Sequence, residues 1–169
     1  MSSINNGLAL VKLGAVGSDG GLGSALENIG KIKEGSFKVN HTEGDKVEFK
    51  EEASDIPFYV RQKEGTLGFE FEVHDADGPA FVKVWGGTYD ATTKKYTPPK
   101  RIIPKEMSFQ AVPEFGHGFD VPRALVSGRF SDAMGKDSLL GLIVSVTVLE
   151  CEKEGVSNFD NPHYPLTTP

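Results

Sequence analysis

The stretch "AVGSDGGLGSALENIGKIKEG", residues 15–35, sets Gly17, Gly20, Gly21 and Gly23 close together and ends in Gly30-Lys31. Clustered glycines of this kind can cradle a phosphate with backbone amides, but a P-loop requires G-x-x-x-x-G-K-[ST] between a strand and a helix. Here Gly23 and Gly30 are too far apart, Ile32 follows Lys31, and the next segment, "KIKEGSFKVN", has strand character. Nucleotide binding is therefore not expected, and a flexible glycine/serine loop accounts for the composition. In "HDADG", Asp75, Asp77 and Gly78 begin a calcium-loop pattern whose remaining ligands are absent, so Asp77 reads as a helix cap and Asp75 as a turn residue. The four histidines, His41, His74, His117 and His163, lack metal-ligand spacing, although His41 and His74 both end strands and could meet across a sheet. "EFGHGFD" at 114–120 has no nucleophile or partner nearby and reads as a loop. Cys151 lies between Glu150 and Glu152 at the end of an apolar strand, which suits a half-buried structural residue rather than a nucleophile. Glu51-Glu52 and Glu70/Glu72 read as solvated faces, with no G-x-S-x-G element beside them. No catalytic, cofactor or metal site is expected.

The elements that would position such residues come from patterning. A chain of 169 residues with 38% hydrophobic content can bury one sizeable core. Its net charge of −6 argues against a surface that wraps nucleic acid. A single cysteine excludes an internal disulfide framework, and no apolar run reaches the roughly 18 residues of a membrane span, so neither anchor nor targeting signal is expected.

Alternation predicts strands. Phe37, Val39 and His41, then Val47 and Phe49 after Glu43-Gly44-Asp45, read as a hairpin over 36–50. "TLGFEFEVH" puts Leu67, Phe69, Phe71 and Val73 on one face and Gly68, Glu70 and Glu72 on the other. "LLGLIVSVTVLECE" offers Leu140, Leu142, Val144, Val146 and Val148 to one side, with a weakly polar other side that implies a second covered face. A second hairpin joins 122–131 to 139–151, and "LALVKLG" is a further strand. "HDADGPAFVKVWGG" reads as a helix rather than a strand, with Asp77 as N-cap, Pro79 in the first turn and Gly86-Gly87 at its end. The fold class is mainly β: an antiparallel β-sandwich or barrel-like sheet with one short flanking α-helix.

In order, these features are a glycine-led first hairpin, the charged stretch "EEASDIPFYVRQKEG" at 51–65, the aromatic/carboxylate strand, a short helix ending in Gly-Gly, and a last hairpin beginning "VPRA". Across residues 29–151 this order resembles a phage tail tube protein. The resemblance implies a β-sandwich subunit that is structural, not enzymatic. It would assemble as a homo-oligomer of stacked hexameric rings, meet other tail proteins, and form a conduit that DNA traverses without specific binding. The protein would be made in a bacterial host's cytoplasm and reside in the virion tail.

By the same resemblance, strands 36–50 and 66–74 turn their polar faces to the lumen. Glu48, Glu70 and Glu72 lie on that face with Lys38, Lys46 and Lys50. The 51–65 loop bridges subunits or rings through Phe58, Tyr59 and Arg61, residue types that concentrate interface energy. Residues 1–28 are expected to be a flexible glycine-rich arm with one strand, 29–151 the tube-like domain and 152–169 an extended tail, with the 88–107 insertion on the outside. Two rival readings differ in class. One is a monomeric carbohydrate- or ligand-binding β-sandwich module using Tyr59, Tyr89, Tyr96 and Trp85. The other is a small β-barrel enzyme built on His117 or His74.

Overall fold

Strand pairing dominates the structure, and every ladder in it is antiparallel. The computed structural model describes residues 5–132 and 134–164. In chain order the elements are β1 (Asn6–Gly14), β2 (Glu27–Asn28), β3 (Lys38–His41), β4 (Lys46–Phe49), β5 (Tyr59–Gln62) and β6 (Leu67–Val73). There follow α1 (Gly78–Trp85), β7 (Thr88–Asp90), β8 (Lys95–Thr97), β9 (Lys105–His117), β10 (Phe119–Phe130), β11 (Leu142–Val148) and β12 (His163–Tyr164). The main sheet runs β2-β1-β9-β10-β11-β6-β3, with β12 added to the end of β9. Thus the mainly-β class with one short helix holds.

The sheet is strongly curled. Between β9 and β6 lie two strands, so on a flat sheet their side chains would stand roughly 14 Å apart at about 4.8 Å per step. Yet the Phe69 and Phe109 rings approach to 4.9 Å, and Phe119 meets Phe69 edge-on at 4.8 Å. Phe37 closes the cluster at 5.9 Å from Phe69 and 6.0 Å from Phe71. The concave side of the curl is the core, filled by the inward half of each alternation: Phe69, Phe71 and Val73 from β6, Leu142, Val144 and Val146 from β11, Phe109 from β9.

Helix α1 seals one end. The Asp77 carboxylate accepts from the Ala80 amide at 3.1 Å, Pro79 sits in the first turn, and Gly86 stops the helix at φ 79°, its amide donating to Val82 O. Trp85 packs edge-on against Phe130 at 4.8 Å, and its Nε1 donates to Gly128 O at 3.0 Å.

Residues 5–28 do not form a free arm. Their expected strand is β1, paired along β9, with Val11 and Leu13 fully buried, because alternating Val11 and Leu13 supply core surface that no other element replaces. The link to β2 is pinned by Ser108, a fully buried residue whose hydroxyl donates to Pro122 O at 2.7 Å and accepts from Gly23 N at 3.0 Å. Pro122 has no amide to give the ladder, and the β9–β10 register shifts between Val121 and Ala124. From the 152–169 tail, Asp160 exchanges backbone bonds with Asp120, and His163 and Tyr164 pair with His117 and Gly116.

The expected hairpin over 36–50 is corrected. β3 pairs with β6 and β4 with β5, in one register: Lys38 faces Glu70, His41 faces Leu67, Lys46 faces Gln62 and Phe49 faces Tyr59. Bonds from Thr42 N to Thr66 O (2.9 Å) and from Lys63 N to Asp45 O (3.0 Å) bridge the gap between the ladders. Residues 38–49 and 59–70 are therefore the two sides of one long hairpin, and Glu43-Gly44-Asp45 is a mid-arm irregularity, not its turn. Gly44 and Gly65 permit this, since a Cβ on Gly44 would lie 1.8 Å from Lys63 O and one on Gly65 would lie 1.6 Å from Thr42 O. Only their bare backbones can pass so closely.

Candidate functional site

Beyond the main sheet the hairpin becomes an arm. No residue from 42 to 66 is buried, so nothing among the described residues covers it. The stretch expected to be a loop over 51–65 contains β5, and only 50–58 form the tip. At that tip Ile56 is 77% and Phe58 74% exposed. Tyr59 is 55% exposed, its ring 5.7 Å from that of Phe49. Arg61 lies on β5 opposite Val47, also exposed. Phe58, Tyr59 and Arg61 thus share one protruding element, joined by Ile56 and Phe49. Ile56 escaped the sequence reading although it stands two residues before Phe58. Full burial of Ile56 and Phe58 against a partner would contribute about 1.5–3 kcal/mol for each side chain.

The polar-face residues divide. Lys38, Glu70 and Glu72 lie on the convex side of the main sheet, whereas Glu48, Lys46 and Lys50 belong to the arm beyond the Gly44/Gly65 crossing. Glu48 faces Val60 across the ladder and is 3.7 Å from Lys50, while Lys46 is 3.7 Å from Glu43. On the sheet, Glu70 accepts from Ser145 Oγ at 3.4 Å and lies 3.9 Å from Arg129; Glu72 lies 3.6 Å from Lys33. Farther across that face, Arg123 donates to both Glu106 oxygens, at 3.0 and 2.8 Å, and holds that carboxyl below its ordinary range. The convex face carries mixed charge: Glu70, Glu72 and Glu106 are paired, whereas the exposed Lys38, in register with Glu70, makes no ion pair among the described residues. The face is only half-covered, since Ile143 and Ser145 are partly exposed and Thr147 fully so.

The glycine-rich loop offers no phosphate cradle. Gly17 N donates to Gly21 O, Gly20 N to Gly17 O, Gly21 N to Asp19 Oδ1 and Gly23 N to Ser108 Oγ. The amides are spent within the chain, and Lys153 clamps the loop through Asp19 at 2.6 Å. Cys151, half-buried, donates its thiol to Gly20 O at 3.4 Å. Asp75 accepts from Lys31 N and Asp77 caps α1, so neither carboxylate converges on a common point. His41 and His74 stand at opposite ends of β6. Instead His117 and His163 meet, edge to face at 5.0 Å, where β12 joins β9. "EFGHGFD" is not a loop: it spans the end of β9 and the start of β10. Among the described residues no group of three or more His, Cys, Asp or Glu is placed to hold a metal.

A cleft of about 660 Å³ opens between the 32–39 segment and the β1/β9 side of the curl, lined by Leu8, Ile32, Phe37, Val39, Pro113 and Phe119, with Glu34, Glu114 and His117 at its polar edge. Of the four aromatics expected for a glycan platform, Tyr59 is exposed on the arm and Tyr89 partly exposed, while the other two are engaged by the fold. Trp85 is only 6% exposed, and the Tyr96 hydroxyl is engaged with Gly86 O at 2.6 Å. No helix among the described residues is long and apolar enough to cross a membrane.

Two outcomes follow from this geometry. Phe58→Ala with Arg61→Ala should leave denaturant unfolding within about 0.5 kcal/mol of the parent, because neither side chain packs on the body; a loss above about 2 kcal/mol would place the arm in the core. Asp120 is raised above the ordinary Asp value by burial, opposed by the Gln110 hydrogen bond and reinforced by Asp160. Ionisation of Asp120 is thus penalised in the fold, and its contribution to stability falls as pH rises from the ordinary Asp pKa through the raised one. Asp120→Asn keeps the Gln110 acceptor, so its Tm should exceed the parent's by up to a few degrees at pH 7, and the gap should close at about pH 3. A lower Tm at pH 7 would contradict this.

Compared with known proteins, the chain matches no family model, and no curated protein matches it significantly.

Proposed function

We propose that the chain is a structural subunit of a phage or prophage-derived tail tube, which self-assembles into stacked rings around a conduit for DNA. The observation that carries this reading is the arm over 42–66, which has no buried residue and ends in the exposed Ile56, Phe58 and Tyr59. Exposed apolar area concentrated on a projecting element is expected where a partner covers it. Two further features support it. β3 ends the main sheet with an open edge that a neighbour's strand can extend, and the convex face pairs its carboxylates with Lys33, Arg123 and Arg129. In a lumen with that face inward, Lys33, Arg123 and Arg129 are offset by carboxylates, and Lys38 is the cation left to meet passing phosphates. The hexameric ring number rests on the family resemblance.

A second reading, a monomeric ligand-binding module, is favoured by one observation, the apolar cleft beside Phe37 and Phe119. It leaves the arm without a role.

Sedimentation across a concentration series, with negative-stain electron microscopy of the concentrated sample, separates the two. Rings or tubes are expected for the parent, and Phe58→Ala with Arg61→Ala should remain monomeric at concentrations where the parent assembles. A parent that stays monomeric throughout and binds a soluble glycan in the cleft would replace the tube reading with the module.

A further inference from the structure

The arm tip is acidic as well as apolar. Lys46 and Lys50 are taken up by Glu43 and Glu48, which leaves Glu51, Glu52 and Asp55 at the tip without a cationic partner among the described residues. One other exposed region combines apolar and charged groups with the opposite sign. In "KKYTPPKRIIPKE", Ile102 and Ile103 are exposed, and Lys94, Lys95, Lys100 and Arg101 make no ion pair among the described residues, although Lys95 stands across the β7–β8 ladder from Asp90. In a chain of net charge −6, this is a local concentration of positive charge.

The two regions lie at opposite ends of the molecule. The arm leaves the sheet at the Leu67 end of β6. The basic loop departs from β8, whose Tyr96 packs on Phe81 and Trp85; Trp85 rests on Phe130, which is in register with Leu142 and, through it, with the Val73 end of β6. At about 3.3 Å per residue, β6 spans roughly 20 Å and the arm reaches roughly 30 Å farther in the other direction. Tip and loop of one chain are thus held apart, while a second copy displaced along the strand axis can bring them together.

We infer that the tip of one copy docks on the basic 94–103 loop of the next, with Ile56 and Phe58 against Ile102 and Ile103 and with Glu51, Glu52 and Asp55 facing Lys94, Lys95, Lys100 and Arg101. The contact is heterologous, since one patch meets a different patch, and it propagates from copy to copy instead of closing as a two-fold dimer. It deepens the tube reading and rests on it, by naming the receptor of the arm. Its charged component makes assembly salt-sensitive, because the exposed pairs are screened over about 8 Å at physiological ionic strength.

The test uses the full chain in a Cys151→Ser background. Phe58→Cys and Ile102→Cys variants are mixed at an assembling concentration and oxidised mildly. A disulfide dimer in the mixture, and not in either variant alone, is expected. Lys100→Glu with Arg101→Glu should weaken association at least tenfold, and adding Glu51→Lys with Glu52→Lys in the same chain should restore most of it. If the parent assembles but the mixture does not cross-link, or Phe58→Cys cross-links with itself as readily, the receptor assignment is overturned and the tube reading stands. If the parent does not associate at any concentration, both fall.

Discussion

Phe69 touches Phe109, Phe119 and Phe37, three rings that come from β9, β10 and the approach to β3. Those contacts exist only because the sheet curls until strands separated in its order face each other across the core. Most of the rest follows from that closure. With Phe69, Phe71 and Val73 committed inward, the alternate positions Glu70 and Glu72 must face outward, beside Arg129 and Lys33. The direction of β6 is fixed as well, and with it the direction in which β5 and the arm leave the body.

The arm shows how one register serves two environments. Within the sheet, β3 and β6 are supported by β11 and the core. Beyond Thr42 and Thr66, whose hydroxyls meet at 2.8 Å, the same register continues with no support from the body. An isolated two-stranded ribbon is marginally stable in water. Here it is extended from a rooted ladder, so the cost of nucleating it falls on the core. The close passage of Gly44 and Gly65 marks the boundary between the two environments.

Alternation and cap chemistry made β6, β11, the β10–β11 hairpin and α1 readable from sequence, because each is specified by its own residues. Partners were harder to read. Val39 and Val47 declare strands without declaring what they pair with, and Glu43-Gly44-Asp45 has the composition of a turn although Gly44 serves a close backbone approach. β9 was missed despite Met107, Phe109 and Ala111 in phase, since Pro104 and Pro113 bracket the alternation, and the burial of Ser108 at its polar phase is explained only by Gly23 and Pro122, partners on other elements. Of the site, Phe58, Tyr59 and Arg61 were legible as unusual residues in a polar stretch. That Glu48 parts company with Glu70 and Glu72 was not, because it depends on where the sheet ends. The burial of Trp85 depends on Phe130 and Gly128, contacts that no local pattern encodes.

The central claim is that the exposed arm is completed by another copy of the chain. Amide hydrogen exchange of residues 50–62, compared between dilute and concentrated protein, tests it most directly. The account predicts fast exchange at the tip when dilute and strong protection on concentration, with the β6 and β11 amides slow in both. Tip amides that exchange equally fast at every concentration, while the protein sediments as an assembly, would contradict it.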